Sequence, residues 1–399
     1  MDRIARFAEV VVRAGVNIQP GQGVILSTDT AHLEIARAVV EAAYAAGAAW
    51  VEPIWTDGPM HRSAVDHADL DVLRASRPWA LQRIREWADQ GAAWIVLVGD
   101  ADPHVLDGAD PVKAAAVRAE ETRARREVIM NKLRWTAVGA PNPGWATQVF
   151  GEPDVERLWQ AVGTAMRLDE DDPARAWRER AAMLAERGAA LDTLDLSEVR
   201  YLGEGTDLTV GLIPGCHWTG GGMVDADGIA YLPNIPTEEV FTSPDRRRVD
   251  GVLRVTKPLV LAGRLVTGLR LTFEDGRITS VAADEGADIV EAQLATDEGA
   301  RYLGEVSLVD RESRIAKAGI VFHNTLFDEN AACHVAWGQS FPFAVPGGLA
   351  MSPEERAALG LNVSGVHTDV VIGGEGITVT GTGPKGMVDI IRDDQWVLD

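Results

Sequence analysis

AAWIVLVGD (residues 92–100) is apolar at every position up to Asp100, and its reading decides the fold of the first half. An unbroken apolar run without alternation is the pattern of a strand buried on both faces of a sheet. Working outward, GVILST (23–28), AAWVEPIW (48–55) and RWTAVGAPN (134–142) read as further strands. Between them lie helical patterns at His32–Gly47, from Pro59, at Trp79–Gly91 and at Pro111–Leu133. Apolar strands separated by helices predict a parallel sheet covered on both faces, an open α/β domain.

Such domains often bind nucleotides, but the phosphate-binding signatures are missing. No G-x-G-x-x-G follows the first strand, and there is no P-loop lysine. Gly21 and Gly23 in PGQG precede a strand instead of joining a strand to a helix. This half reads as scaffold. Helical patterns at Val155–Asp169 and Asp172–Asp195 lead into a glycine-dense, β-rich half with TDLTVGL (206–212), GLRLTF (268–273), RITSVAA (277–283) and GITVTG (376–381). Asp275-Gly276 is a hairpin signal between two of these strands. The expected organisation is an open parallel α/β domain over 1–195, then a β-rich α+β catalytic domain over 196–399.

Composition narrows the function. With 399 residues the chain exceeds the roughly 250–300 that one core usually serves, which favours two domains. A formal charge of −22 speaks against nucleic acid and anionic membrane surfaces as partners. Cys216 and Cys333 are too few for a disulfide framework or a thiolate zinc site, and they suit a reducing cytoplasm. The N-terminal segment is interrupted by Arg3, Arg6, Glu9 and Arg13, so it lacks the apolar stretch of a signal peptide. No uncharged run reaches the roughly 18–20 residues needed to span a bilayer. A soluble cytoplasmic protein is expected.

The second half carries hard-metal and imidazole ligands: Glu239 in NIPTEEVFT, Glu305 in YLGEV, His334 in LFDENAACH, and His367 with Asp369 in SGVHTDVVIGG. On a β-branched strand, positions 367 and 369 share a face, so both can reach one ion. Glu305 sits in an apolar strand, where an unpaired charge is costly, which raises its standing as a ligand. Glu238 and Glu239 are adjacent and repel, so at most one is expected at a metal. DENAACH reads as a helix start, with Asp328 and Glu329 as cap and first-turn residues and His334 on the helix. Glu329, or Asn330 one turn before, is placed to orient His334. Cys333 reads as a packed side chain. His217 beside the glycines at 220–222 reads as a loop packing on itself, and His323 as an ordinary strand or turn residue. No G-x-S-x-G elbow or activated thiol supports covalent catalysis.

Taken in order, NIPTEEVFTSP, KPL, LGEV, NTLFDENAACH and HTDVVIG resemble the metallo-aminopeptidase family typified by aminopeptidases T and S. The resemblance extends upstream through GVNIQPGQ, AAYAAGAAWV, MNKLRWTAVGAPNPGWA and DPARAWRER, nearly the whole chain. It implies that Glu239, Glu305, His334, His367 and Asp369 hold two divalent ions, zinc or cobalt. It also implies a homodimer that releases N-terminal residues from short peptides. One position departs: the family's tyrosine, seven residues after the ligand histidine, is Phe341 here. If that hydroxyl stabilises the oxyanion, its loss costs about 2.7–4 kcal/mol, roughly 10²–10³ in rate. Ser340, Tyr231, Tyr302 or a water are the candidate replacements.

The mechanism expected is amide hydrolysis by a metal-activated water, with Glu238 or Glu329 moving the proton. An alternative from another class is a mononuclear non-haem iron dioxygenase of a hydroxylated aromatic ring, using His334, His367 and Asp369 alone. Glu239 and Glu305 speak against it, because a single iron leaves two carboxylates without a cation. A third reading, a binding module without turnover, rests on Phe341.

Overall fold

A computed structural model describes residues 2–75, 77–117, 124, 128, 133–261, 264–374 and 376–398. The chain forms two compact units, one of Met1–Arg178 with Gly222–Pro236 and one of Glu179–Gly221 with Thr237–Asp399.

The first unit is built on a five-stranded sheet in the order Asn234–Ile235, Trp135–Gly139, Ala93–Val98, Gly23–Asp29, Trp50–Thr56. Every pairing in it is parallel. Ala93–Val98 lies in the middle, as its unbroken apolar run requires. Its Trp94 is fully buried, donates to Ser27 Oγ at 2.9 Å and meets Trp87 edge-on at 5.3 Å. Trp87 comes from the helix Pro78–Asp89, which buries Ala80, Ile84 and Trp87, a stripe with helical spacing. Gly222–Pro236 belongs to this unit because it adds the edge strand, pairs Asp225 with Arg134 and donates Leu232 N–H to Gly15 O at 2.8 Å. The helix expected over Pro111–Leu133 is present at Pro111–Ala116, and most of its remainder lies outside the described residues.

The second unit holds two antiparallel sheets. The larger has eight strands, ordered from Arg277–Ala282 through Arg270–Glu274, Pro244–Arg254, Thr206–Leu212, Glu198–Gly203, Thr378–Gly383 and Gly386–Arg392 to Gln395–Trp396. Asp275 and Gly276, both at positive φ, make the expected hairpin turn. The smaller sheet runs His367–Val371, His334–Gly338, Leu303–Leu308, Val240–Thr242, Thr219–Gly220. Tyr201, Val210 and Phe273 of the larger sheet share one core with Leu303, Val306, Val335, Trp337 and Val370 of the smaller. The Tyr201 hydroxyl donates to Ser307 O at 3.3 Å, tying the two sheets together. Among the described residues, no helix is long and apolar enough to cross a membrane.

Alternation then sets the other face of the smaller sheet. Val306, Val335, Trp337 and Val370 point into the core, so Ser307, His334, His367 and Asp369 must point away from it. Glu305 reaches that face through a bulge. Leu303 pairs with Trp337 but Glu305 pairs with Ala336, so the extra residue Gly304 breaks the alternation between them. Without the bulge, Glu305 would share the core-facing side with Leu303.

Candidate metal centre

The strand pairings bring the ligand candidates into rows. Glu305, Ala336 and Asp369 lie side by side across three strands, and Phe241, Ser307, His334 and Val371 form the neighbouring row. Ala336 is small, which leaves room between the two carboxylates. Glu239 enters from the residue just before Val240–Thr242.

His334 Nε2 lies 3.0 Å from Glu239 Oε2 and 3.7 Å from Glu305 Oε1. His367 Nε2 lies 3.2 Å from Glu305 Oε2 and 3.5 Å from Asp369 Oδ1. Two trios result, Glu239–Glu305–His334 and Glu305–His367–Asp369, each with its ligand atoms within 4.8 Å of one another. Glu305 belongs to both and turns one oxygen to each. Ligands about 2.0–2.1 Å from a tetrahedral ion sit about 3.3 Å from each other, close to these separations. The donor set of imidazole and carboxylate suits a divalent metal ion, and the residues present fit such an ion.

The surroundings orient the donors. His367 Nδ1 lies 2.8 Å from Gln339 O, which fixes a proton there and directs Nε2 toward the carboxylates. His334 Nδ1 faces Ala332 O at 3.4 Å, a weaker version of the same arrangement. Ser307 Oγ donates to Glu239 Oε2 at 2.7 Å. Burial alone would push both imidazoles down, but Glu239 and Glu305 hold His334, and Asp369 and Glu305 hold His367, well above the usual range. Burial would raise Asp369, yet His367 and His334 keep it below the usual carboxylate range. Glu239, Glu305 and Glu329 are buried, and three carboxylates in one apolar setting need cations or protons to be tolerated.

The family profile of the thermophilic metalloproteases (M29) matches residues 1–396. The chain belongs to the M29 metalloproteases. It is 38% identical to aminopeptidase T of Thermus aquaticus, covering 100% of this chain and 99% of that one. Aminopeptidase AmpS of Bacillus subtilis is 37% identical, with 99% of this chain and 98% of that one covered. The solved structure of wild-type AmpT from Thermus thermophilus superposes with a TM-score of 0.91 at 36% identity, covering 99% of each chain. The enzyme class expected from the sequence, a metallo-aminopeptidase, is that of these relatives, and M29 members are hydrolases. The iron dioxygenase reading finds no support in them, and Glu239 and Glu305 join the same cluster as the three residues it would use.

The remaining candidates of this M29 chain separate clearly. Glu238 is fully buried and its Oε2 lies 2.6 Å from an Arg180 nitrogen, while its backbone N–H donates to Asn330 Oδ1 at 2.6 Å. Glu329 lies among the ligands: burial raises its carboxyl well above the usual range, and the charges of Asp369, Glu239 and Glu305 add to that while His334 opposes it. Phe341 packs at a tilt against His367, ring centroids 5.1 Å apart, and with Phe241 and Phe343 forms an aromatic wall. The Ser340 hydroxyl accepts the Asn362 N–H at 2.9 Å. Tyr302 lies under the guanidinium groups of Arg246 and Arg277.

One local expectation is corrected. DENAACH does not start a helix. A single helical turn at Thr325–Asp328 and a 3-10 turn at Glu329–Ala331 end there, and His334 opens a strand. Asp328 instead closes the preceding loop, accepting the N–H groups of Phe322 at 2.7 Å and Asn324 at 3.0 Å. Asn330 donates to Leu326 O and to Glu329 rather than serving His334. Cys333 is packed as expected, its Sγ 3.4 Å from Val309 O and its thiol pushed up to about 12 by burial. His217 pairs with Asp192 at 3.2 Å, and His323 lies in a bend at positive φ. Sequence reading missed Ser307, though period-two spacing from Glu305 carries that signal. The role of Gln339 runs through its backbone carbonyl and leaves no trace in residue type.

Proposed function

We propose that this chain is a two-metal aminopeptidase that removes N-terminal residues from short peptides, with Glu239, Glu305, His334, His367 and Asp369 holding zinc or cobalt. The observation that carries the reading is Glu305, whose two oxygens each face a separate histidine–carboxylate pair. When bound, paired divalent ions polarise the scissile carbonyl and lower the pKa of an attacking water toward about 7.

The chain's own groups do the rest. Glu305 bridges the two halves of the site, and Ser307 holds Glu239 in place. Gln339 O keeps the His367 proton on Nδ1. Glu329 is the group that takes the water's proton on a carboxylate oxygen and returns it to the leaving amine. Glu238 is assigned a structural part, because its carboxylate is engaged by Arg180. The Phe341 ring packs on His367 without supplying a hydroxyl, so turnover is set below that of a tyrosine-bearing site. A homodimer and a cytoplasmic setting belong to the same proposal.

The test is hydrolysis of aminoacyl-nitroanilides after chelation and after zinc or cobalt is restored. Restored turnover is expected, with Glu329→Gln lowering kcat roughly 10²–10⁴-fold while metal content stays at the native level. No metal-dependent release across a broad substrate panel would sink the reading.

A further inference from the structure

A pocket with a cavity volume of about 140 Å³ opens beside Asp369 and Glu329. That is close to the roughly 150 Å³ that admits a benzene-sized molecule, room for one small residue. Aliphatic side chains of Val255, Leu259, Val260 and Val371 share its walls with polar ones, and a lysine lines it, Lys257. The Lys257 segment is pinned to the strand that carries His367 and Asp369. Thr256 N–H donates to Val371 O at 2.8 Å, and Thr256 Oγ1 donates to Gly373 O at 2.6 Å. Pro258 follows directly and restricts the backbone.

Lys257 is half-buried and makes no ion pair among the described residues. Its charge is felt by Asp328, which lines the same pocket. A cation and a set of carboxylates therefore stand on one cavity. A dipeptide carries the matching ends: an ammonium at one terminus, and a carboxylate only one residue beyond the scissile bond. We infer that Lys257 pairs with the free α-carboxylate of the leaving residue, so that the enzyme selects dipeptides over longer or carboxyl-blocked chains. This inference rests on the aminopeptidase reading and deepens it. Lys257 is a specificity residue here and takes no part in bond breaking.

The test compares leucyl-glycine with leucyl-glycinamide on the metal-restored enzyme. The free acid is expected to have a KM roughly tenfold below that of the amide, the size of a charge-assisted contact at a half-buried site. In Lys257→Gln the KM for the acid rises by about that factor and the ratio collapses toward one, whereas Lys257→Arg restores most of it. A ratio near one in the native enzyme, or a ratio that survives Lys257→Gln, overturns the inference. A fall in thermal stability of Lys257→Gln with the ratio intact also overturns it, since Lys257 then serves only Asp328. If the native enzyme cleaves neither compound, the aminopeptidase reading fails by itself. The pocket is then judged by calorimetry: tighter binding of the acid than the amide, lost in Lys257→Gln, supports the inference, and equal binding refutes it.

Discussion

At the scale of single residues, Phe341 and Asp328 make the sharpest demands. The Phe341 ring sits 5.1 Å from the His367 ring, so the side chain at this position borders the reacting groups. Phe341→Tyr is expected to raise kcat on aminoacyl-nitroanilides by roughly 10²–10³ with a small change in KM, because an oxyanion donor acts only in the transition state. Steady-state kinetics check it, and an unchanged kcat would mean that the enzyme's natural chemistry does not use that donor. Asp328 has its pKa raised to about 6, chiefly by burial, from the ordinary 3.8. The folded state therefore holds this proton more tightly than the unfolded chain. Its contribution to stability is full below the unfolded value near 4 and is lost as pH rises through about 6, a difference of about 3 kcal/mol. Denaturation of Asp328→Asn is expected to lack this slope between about pH 4 and pH 6. The pairing of His367 with Asp369 was legible as H-x-D on a β-branched run. The division of labour between Glu238 and Glu329 was not, because it depends on Arg180, 58 residues before Glu238.

At the scale of elements, strand periodicity showed four of the five strands of the parallel sheet and four of the eight in the larger antiparallel one, since apolar runs and turn signals are local. Two features escaped it. The helix expected at DENAACH failed because Asp, Glu and Asn at a chain reversal carry the same chemistry whether they cap a helix or close a loop, as Asp328 does. The bulge at Gly304 is a matter of register between strands, which no single segment records. Yet it is what turns Glu305 from the core to the site. A Cβ on Gly304 would lie 2.4 Å from Gly338 O and 2.5 Å from Gln339 O, so only glycine fits the approach. Gly304→Ala is expected to destabilise the fold by about 1–3 kcal/mol and to weaken metal binding. Chemical denaturation and metal titration check both, and a stable variant with native metal affinity would show that the close approach is not needed.

At the scale of the whole molecule, the acidic composition gave only an exclusion, the unsuitability of nucleic acid as a partner. The proposed function was legible because five candidate ligands, scattered from Glu239 to Asp369, keep their order through a chain that matches its family from residue 1 to 396. The strand rows explain how such distant residues meet: antiparallel pairing sets Glu305, Ala336 and Asp369 abreast. The central proposal is that Glu305 stands between two ions. Metal content by elemental analysis, joined to anomalous scattering from crystals of the native protein and of Glu305→Gln, tests that directly. About two zinc or cobalt ions per chain, on either side of Glu305, are expected, with both weakened by at least roughly tenfold in Glu305→Gln. A single ion per chain, or one iron held by His334, His367 and Asp369 alone, would contradict it.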